Sequence, residues 1–237
     1  MIQTEGIFVG GSAISAPIIG EDFNWSGGDG TYQVLDDGGG NWRIKFLSSG
    51  TFTPLKNMVI DVFLVGGGGG AGSSYCGEGG AGYTTTVRSI VLAANTAYPI
   101  VVGAAGTNGN PSSAGGETTA FTASAAGGKN TSNGTSSSKR PGGAGGSGGA
   151  GYVSPVATTT GGTDGGDGTS SATAGGKGQG TTTREFGEAD GDLYASGGGS
   201  NLSATVANSG NGGRNGITSI APADGIVVIR QHKEVAA

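Results

Sequence analysis

Charge is scarce in this sequence, and most other chemistry-bearing residues are scarcer. Only 12% of its 237 residues are Asp, Glu, Lys or Arg, about half the usual share. The 12 basic and 17 acidic side chains leave a net charge of −5. No basic stripe is present to neutralise phosphates, so nucleic acid is not an expected partner. A balance this modest also argues against a chain kept unfolded by high net charge. Cys76 is the single cysteine, so no intrachain disulfide can form. The one histidine, His232, lies in a charged tail, Gln231-His232-Lys233-Glu234. It has no convincing Ser or Cys partner in the sequence, so nucleophilic catalysis has no support there.

Other absences narrow the classes further. The longest apolar run, Met58 to Val65, is interrupted by Asp61 and is far short of the roughly 20 residues of a membrane span. The opening Met-Ile-Gln-Thr-Glu-Gly has neither the basic region nor the apolar region of a secretory signal. Synthesis in a cytoplasm, without membrane insertion, is expected. Seven prolines and no unbroken Gly-X-Y repeat exclude collagen. No window has a convincing 3.6-residue period, and aromatics are only 6%.

What is abundant is glycine. The 55 glycines are about 23% of the chain, against roughly 7% in an average protein. Each glycine inside a helix costs about 1 kcal/mol relative to alanine, so a helical bundle is excluded.

Between the glycine runs the sequence reads as strand. Ile7 to Val9, Thr31 to Leu35 and Asn41 to Leu47 are candidates, the last alternating Trp42, Ile44 and Phe46 with Arg43 and Lys45. After the Ser48-Ser49-Gly50 turn come Thr51 to Thr53 and then Asn57 to Val65. This last run is apolar on both faces, as a central strand is. Tyr83 to Leu92, Ala97 to Val102, Glu117 to Thr122 and Gly225 to Arg230 complete the set. The strand at 226–230 needs sheet partners, and the best match is 57–65.

The glycine runs have their own period. In PGGAGGSGGAG, residues 141–151, the non-glycine positions Pro141, Ala144, Ser147 and Ala150 are three apart. Three residues per turn is the period of a polyproline-II-type helix, in which this run would extend about 34 Å. Such helices have no internal hydrogen bonds. Packed side by side, they can pair their backbones where glycine permits close approach. The alternative is that the runs are flexible linkers.

The acidic clusters admit three readings. Asp36 and Asp37, Asp164 and Asp167, and Glu185, Glu188, Asp190 and Asp192 are solvated turn acids, hard-oxygen ligands for Ca²⁺ or carboxylate pairs for glycan hydrolysis. The solvated reading is preferred, and no metal or cofactor is expected. GGGGGAG at 66–72 lacks the Lys-Ser/Thr of a phosphate loop.

The order of motifs resembles a known family. FLSSGTFTP (46–54), VIDVFLVGGGGGAG (59–72), GEGGAGY (77–83), PIVVGAAG (99–106), GGETTAF (115–121) and DGIVVIRQ (224–231) follow one another as in the glycine-rich domain of bacteriophage tail fibres and distal tail-fibre adhesins. The resemblance covers residues 41–231. It implies packed polyglycine-II helices and inter-run loops that bind a host surface receptor. A glycine-rich insertion in a β-sandwich related to tumour necrosis factor, known from animal receptor ectodomains, is the other resemblance. Those ectodomains are secreted and disulfide-bonded, which fits this chain less well.

Together these readings predict an all-β protein: a β-sandwich, with a jelly-roll or tumour-necrosis-factor-like form among the options, carrying a glycine-rich insertion of packed polyglycine-II helices. Residues 1–40 are read as an N-terminal strand or attachment segment, 41–122 and 223–231 as sandwich, and 123–222 as the insertion. The expected role is non-enzymatic: attachment of a virion tail fibre or tail-tip adhesin to a host surface receptor, either a glycan or an outer-surface protein. Other virion tail or fibre proteins are the expected mounting partners, and a homotrimer follows from the resemblance alone. A structural fibre or decoration protein is the competing class. Aromatics and arginine favour binding hot spots, which singles out Tyr75, Lys139, Arg140, Tyr152, Arg184, Phe186, Glu188 and Tyr194 as receptor-contact candidates. Plugging the ends of the glycine bundle is the alternative role for these loop side chains.

Overall fold

β-branched and aromatic runs form the strands, and the glycine runs extend from their ends. The structure, a computed structural model, describes residues 8–9, 12–13, 22–28, 30–135, 138–152, 159–169, 173–215 and 219–232. β1 (Phe8–Val9) and β2 (Ser12–Ala13) form a small antiparallel pair. One five-stranded sheet has the order β11 (Ala123–Ala125), β10 (Thr118–Ala120), β9 (Tyr98–Val101), β6 (Gly50–Pro54), β3 (Phe23–Trp25). The other has the order β4 (Tyr32–Gly38), β5 (Asn41–Phe46), β12 (Ile226–Gln231), β7 (Met58–Val65), β8 (Thr84–Leu92). All pairings are antiparallel.

The two sheets share a core. Ile44 and Phe46 of β5, Ile60, Val62 and Leu64 of β7, and Val227 and Ile229 of β12 meet Phe23, Phe52, Ile100 and Ala120 of the facing sheet. The last strand pairs with 57–65 as expected, Ile226 opposite Val65 and Arg230 opposite Asp61. The fold is the expected all-β sandwich.

The described part of residues 1–40 supplies strands, as one reading of that segment has it. β3 pairs with β6 and β4 with β5, so both are ordinary edge strands. Residues 1–7, 10–11, 14–21 and 29 of the expected attachment segment lie outside the described residues.

The glycine runs pack as a hexagonal lattice of polyglycine-II segments. Segment 66–71 is at one centre. The amides of Gly66 and Gly69 donate to the carbonyls of Tyr83 and Gly80, and those of Gly67 and Gly70 to Gly116 and Ser113. Gly68 donates to Ala223. The carbonyls of Gly67 and Gly70 accept from Gly128 and Thr131, those of Gly68 and Ala71 from Gly106 and Gly109, and that of Gly69 from Gly213. Residues three apart share a neighbour, as three residues per turn requires. Segments 77–83 and 147–151 are ringed in the same way. Glu78 and Ala81, for example, donate to Ala150 and Ser147, while Gly79 and Gly82 donate to Gly213 and Gly210. Buried backbone groups are thus paired without sheet or helix. At most of these glycines no side chain fits. A methyl at Gly68 would overlap the Asn211 carbonyl, and one at Gly115 the Gly67 carbonyl.

Two expectations are corrected. Residues 141–151 do not form one straight helix. Gly149 donates to the Gly143 carbonyl at 2.8 Å, whereas six residues along a straight polyproline-II-type helix span about 19 Å. The chain bends at 145–147, and its two halves lie side by side. The lattice is also not confined to 123–222. Segments 66–83 and 103–116 belong to it, while Ala123–Ala125 is a sandwich strand.

Candidate functional site

The outer face of the β7 sheet carries both apolar and charged side chains, so it needs a cover. Phe63, Val65, Ile226 and Val228 point to this face and form a second apolar cluster with Phe186, Tyr194 and Ala195. The loop that brings Phe186 and Tyr194 there is closed by Glu185 donating its amide to the Asp192 carbonyl and Thr183 Oγ1 donating to the Tyr194 carbonyl. Phe186 is 3% and Tyr194 8% exposed. Around them runs an ionic band. Arg43 Nη1 donates to Glu185 at 2.6 Å and Lys45 Nζ to Asp192 at 2.8 Å. Arg230 forks onto Glu188 at 2.8 and 2.7 Å. Burial opposes the Lys45 charge, but its bonds to Asp192 and Tyr194 hold its pKa above the ordinary lysine value. Arg184 Nη1 donates to the Gly191 carbonyl at 3.0 Å, and its Nε lies 3.7 Å from an Asp164 carboxylate oxygen.

This corrects one expectation. Phe186 and Tyr194 are a clamp joining the glycine lattice to the sandwich, not side chains offered to a receptor. Glu188 ties the same loop to Arg230 of the sandwich, whereas Arg184, part-exposed, bonds within the loop and reaches Asp164.

The other four candidates come together elsewhere. Segment 66–72 leaves the end of β7 and 77–83 returns to the start of β8, so the loop between them sits about 22 Å beyond the strand end at 3.1 Å per residue. Tyr75 lies in that loop, 43% exposed. Its ring is 5.7 Å from that of Tyr152, and Lys139 Nζ is 5.5 Å from the Tyr152 ring centre. The Arg140 amide donates to the Tyr75 carbonyl at 3.1 Å. Lys139 and Arg140 are exposed and Tyr152 is half-buried. Two tyrosines and two cations from separate loops therefore share one tip. Tyr75 has φ +46°, the left-handed region that a bulky residue rarely occupies.

Sequence reasoning missed a buried polar centre. Asp61, fully buried, accepts from the Ser89 amide at 3.1 Å, Arg88 Nη1 at 3.2 Å and Arg230 Nε at 3.2 Å. His232 Nδ1 lies 2.6 Å from it. A bulge makes this possible by placing Arg88 and Ser89 together opposite Asp61. Burial raises the Asp61 pKa, but its bonds to His232, Ser89 and Arg230 outweigh that and leave it lowered. The isolated Asp in an apolar run was the available signal. Ser89, His232 and Asp61 have the residue types of a hydrolytic triad, but not its alignment. Ser89 Oγ is 3.0 Å from Nε2 and 3.4 Å from Nδ1 at once, which puts it beside the ring instead of along the Nε2 lone pair.

The remaining chemistry is subdued. Asp164 accepts from Thr182 and Thr183, and Asp167 pairs with Lys177. Among the described residues no group of three or more His, Cys, Asp or Glu is placed to hold a metal ion, and no helix is long and apolar enough to cross a membrane. Burial, reinforced by the Glu78 charge, pushes the Cys76 thiol up to about 11, which leaves little nucleophilic thiolate near neutral pH.

A family model described as a glycine-rich domain matches residues 47–230. No curated protein matches the chain.

Proposed function

The chain belongs to the glycine-rich domain family, and from that premise we propose that it is a bacteriophage virion appendage protein, a tail fibre or tail-tip adhesin, that attaches to a host cell-surface receptor. One observation carries this reading: Tyr75, Tyr152, Lys139 and Arg140 gather at the end of the glycine lattice that projects beyond the β7 strand. A lattice cross-linked by backbone hydrogen bonds suits a stalk, because it presents the tip without needing a large apolar core. Tyr75 and Arg140, both exposed at the tip, are residue types that dominate binding hot spots. The role is binding without catalysis, with mounting on other virion tail or fibre proteins and assembly as a homotrimer as parts of the same proposal.

Adsorption of fluorescently labelled protein to a panel of bacterial strains, in competition with whole phage, tests it. Saturable binding that blocks infection supports attachment. Correctly folded, assembled protein that adsorbs to none of the strains its phage infects overturns it in favour of a structural fibre or decoration protein.

A further inference from the structure

The cations of this protein are mostly spoken for. Arg43, Lys45, Arg88, Lys177 and Arg230 each reach a carboxylate. Lys139 and Arg140 do not. Among the described residues neither forms an ion pair, and their contacts are the Tyr152 ring for Lys139 and, for the Arg140 guanidinium, the Asn133 carbonyl at 3.4 Å. In a chain of net charge −5, two adjacent unneutralised cations form a local site for an anion.

The surroundings select among anions. Ser73, Ser74, Ser132 and Ser138 are exposed nearby in sequence, and their hydroxyls suit hydroxyl-rich ligands. Of the exposed large hydrophobic side chains among the described residues, Tyr75 alone belongs to this cluster. A protein partner would bury a larger apolar centre than Tyr75 and the half-buried Tyr152 supply. The exposed Tyr75 ring, inclined at 49° to that of Tyr152, suits the C–H surface of a sugar ring. The Arg140 amide donates to the Tyr75 carbonyl, which brings the backbones of these two residues together.

We infer that the Tyr75–Tyr152–Lys139–Arg140 tip binds an acidic saccharide, with a sugar face on Tyr75 and a carboxylate or phosphate on Arg140 and on Lys139, which the Tyr152 ring positions. This rests on the attachment reading above and names its ligand class. Arginine matches either anion through its planar fork of donors.

The test uses the full chain against immobilised polygalacturonate, phosphomannan and neutral dextran, measured by biolayer interferometry. At least one acidic polymer is expected to bind tenfold or more tighter than dextran, and the two acidic arms separate carboxylate from phosphate. The double variant Lys139→Ala/Arg140→Ala is expected to lose at least tenfold on the acidic polymer, and Tyr152→Ala to weaken it severalfold. Lys177→Ala, which removes a cation already paired with Asp167, is expected to bind as the parent does. Equal binding to all three polymers, or acidic binding that survives the double variant, overturns the inference. If the protein still adsorbs to cells in that case, attachment stands and only the ligand class fails. Loss of adsorption by the parent protein brings down both.

Discussion

The guanidinium carbon of Arg230 lies 4.1 Å from the centre of the Phe186 ring, and the same side chain holds Asp61 through Nε at 3.2 Å. One arginine on the last strand thus fastens the clamp loop to the sheet. Phe186 sits at φ +54°, a conformation costing about 1–2 kcal/mol that the packing must offset. Phe186→Ala is expected to destabilise the fold by about 3–5 kcal/mol, the range for deleting a buried aromatic. Arg184→Ala, part-exposed at the loop edge, is expected to cost under about 1 kcal/mol. Urea denaturation curves of the two variants check the contrast. Equal small effects would mean that the loop is not a clamp.

Removing Asp61 leaves Arg230, only 4% exposed, beside Arg88 and His232 without the buried carboxylate that joins them. Asp61→Ala is expected to cost about 3–5 kcal/mol, as when one partner of a buried ion pair is lost. The melting temperature of this variant, set against that of Asp36→Ala on the exposed end of β4, reads the effect.

The glycine lattice predicts a position-specific intolerance. Gly68→Ala drives a methyl into the Asn211 carbonyl and should cost about 3 kcal/mol or more, at or beyond the upper end of overpacking effects. Gly180→Ala meets nothing within 4 Å but has φ +76°, so its cost is about 1–2 kcal/mol. Hydrogen exchange gives a second check. The amides of Gly66 to Gly70 are expected to exchange as slowly as those of β7, although they lie in neither helix nor strand.

Glu78 makes stability depend on pH. Burial pushes its carboxyl from 4.5 up to about 7, against the Asn215 amide and the Arg214 charge, which pull it down. A raised acid pKa favours the protonated folded state. Its contribution is therefore full below pH 4.5 and is lost as pH rises through about 7, a swing of at most about 3 kcal/mol. Asp61 works oppositely. Its lowered pKa gives stability above 3.8 that disappears in stronger acid. The melting temperature is expected to fall between pH 5 and pH 8 in the parent, and Glu78→Gln should flatten that slope while keeping the acid limb.

How much of this was legible depended on whether the signal was local. β7 and β12 announce themselves by length and β-branching, and their pairing follows from both being apolar on both faces. β3 and β11 do not, because Phe23-Asn24-Trp25 is three residues long amid turns and Ala123-Ser124-Ala125 looks like loop. The three-residue period of 141–151 gave the helix type, but nothing in PGGAGGSGGAG marks the bend at 145–147. The outward apolar residues Phe63 and Val228 imply a cover for the sheet, yet only tertiary placement shows that Phe186 and Tyr194 supply it. Tyr75, Lys139, Arg140 and Tyr152 were identifiable by type from separate loops. Their meeting depends on which lattice segments end side by side.

The shared neighbours of residues three apart bear on how such a chain tolerates change in length. Removing one glycine from 66–70 turns every later amide in that segment by a third of a turn, so each would face the wrong neighbour. Removing three restores the facing and only shortens the rod by one turn, about 9 Å. Natural length variation within these runs should therefore come in triplets, while the tip loops, bound by no such phase, are free to gain or lose single residues.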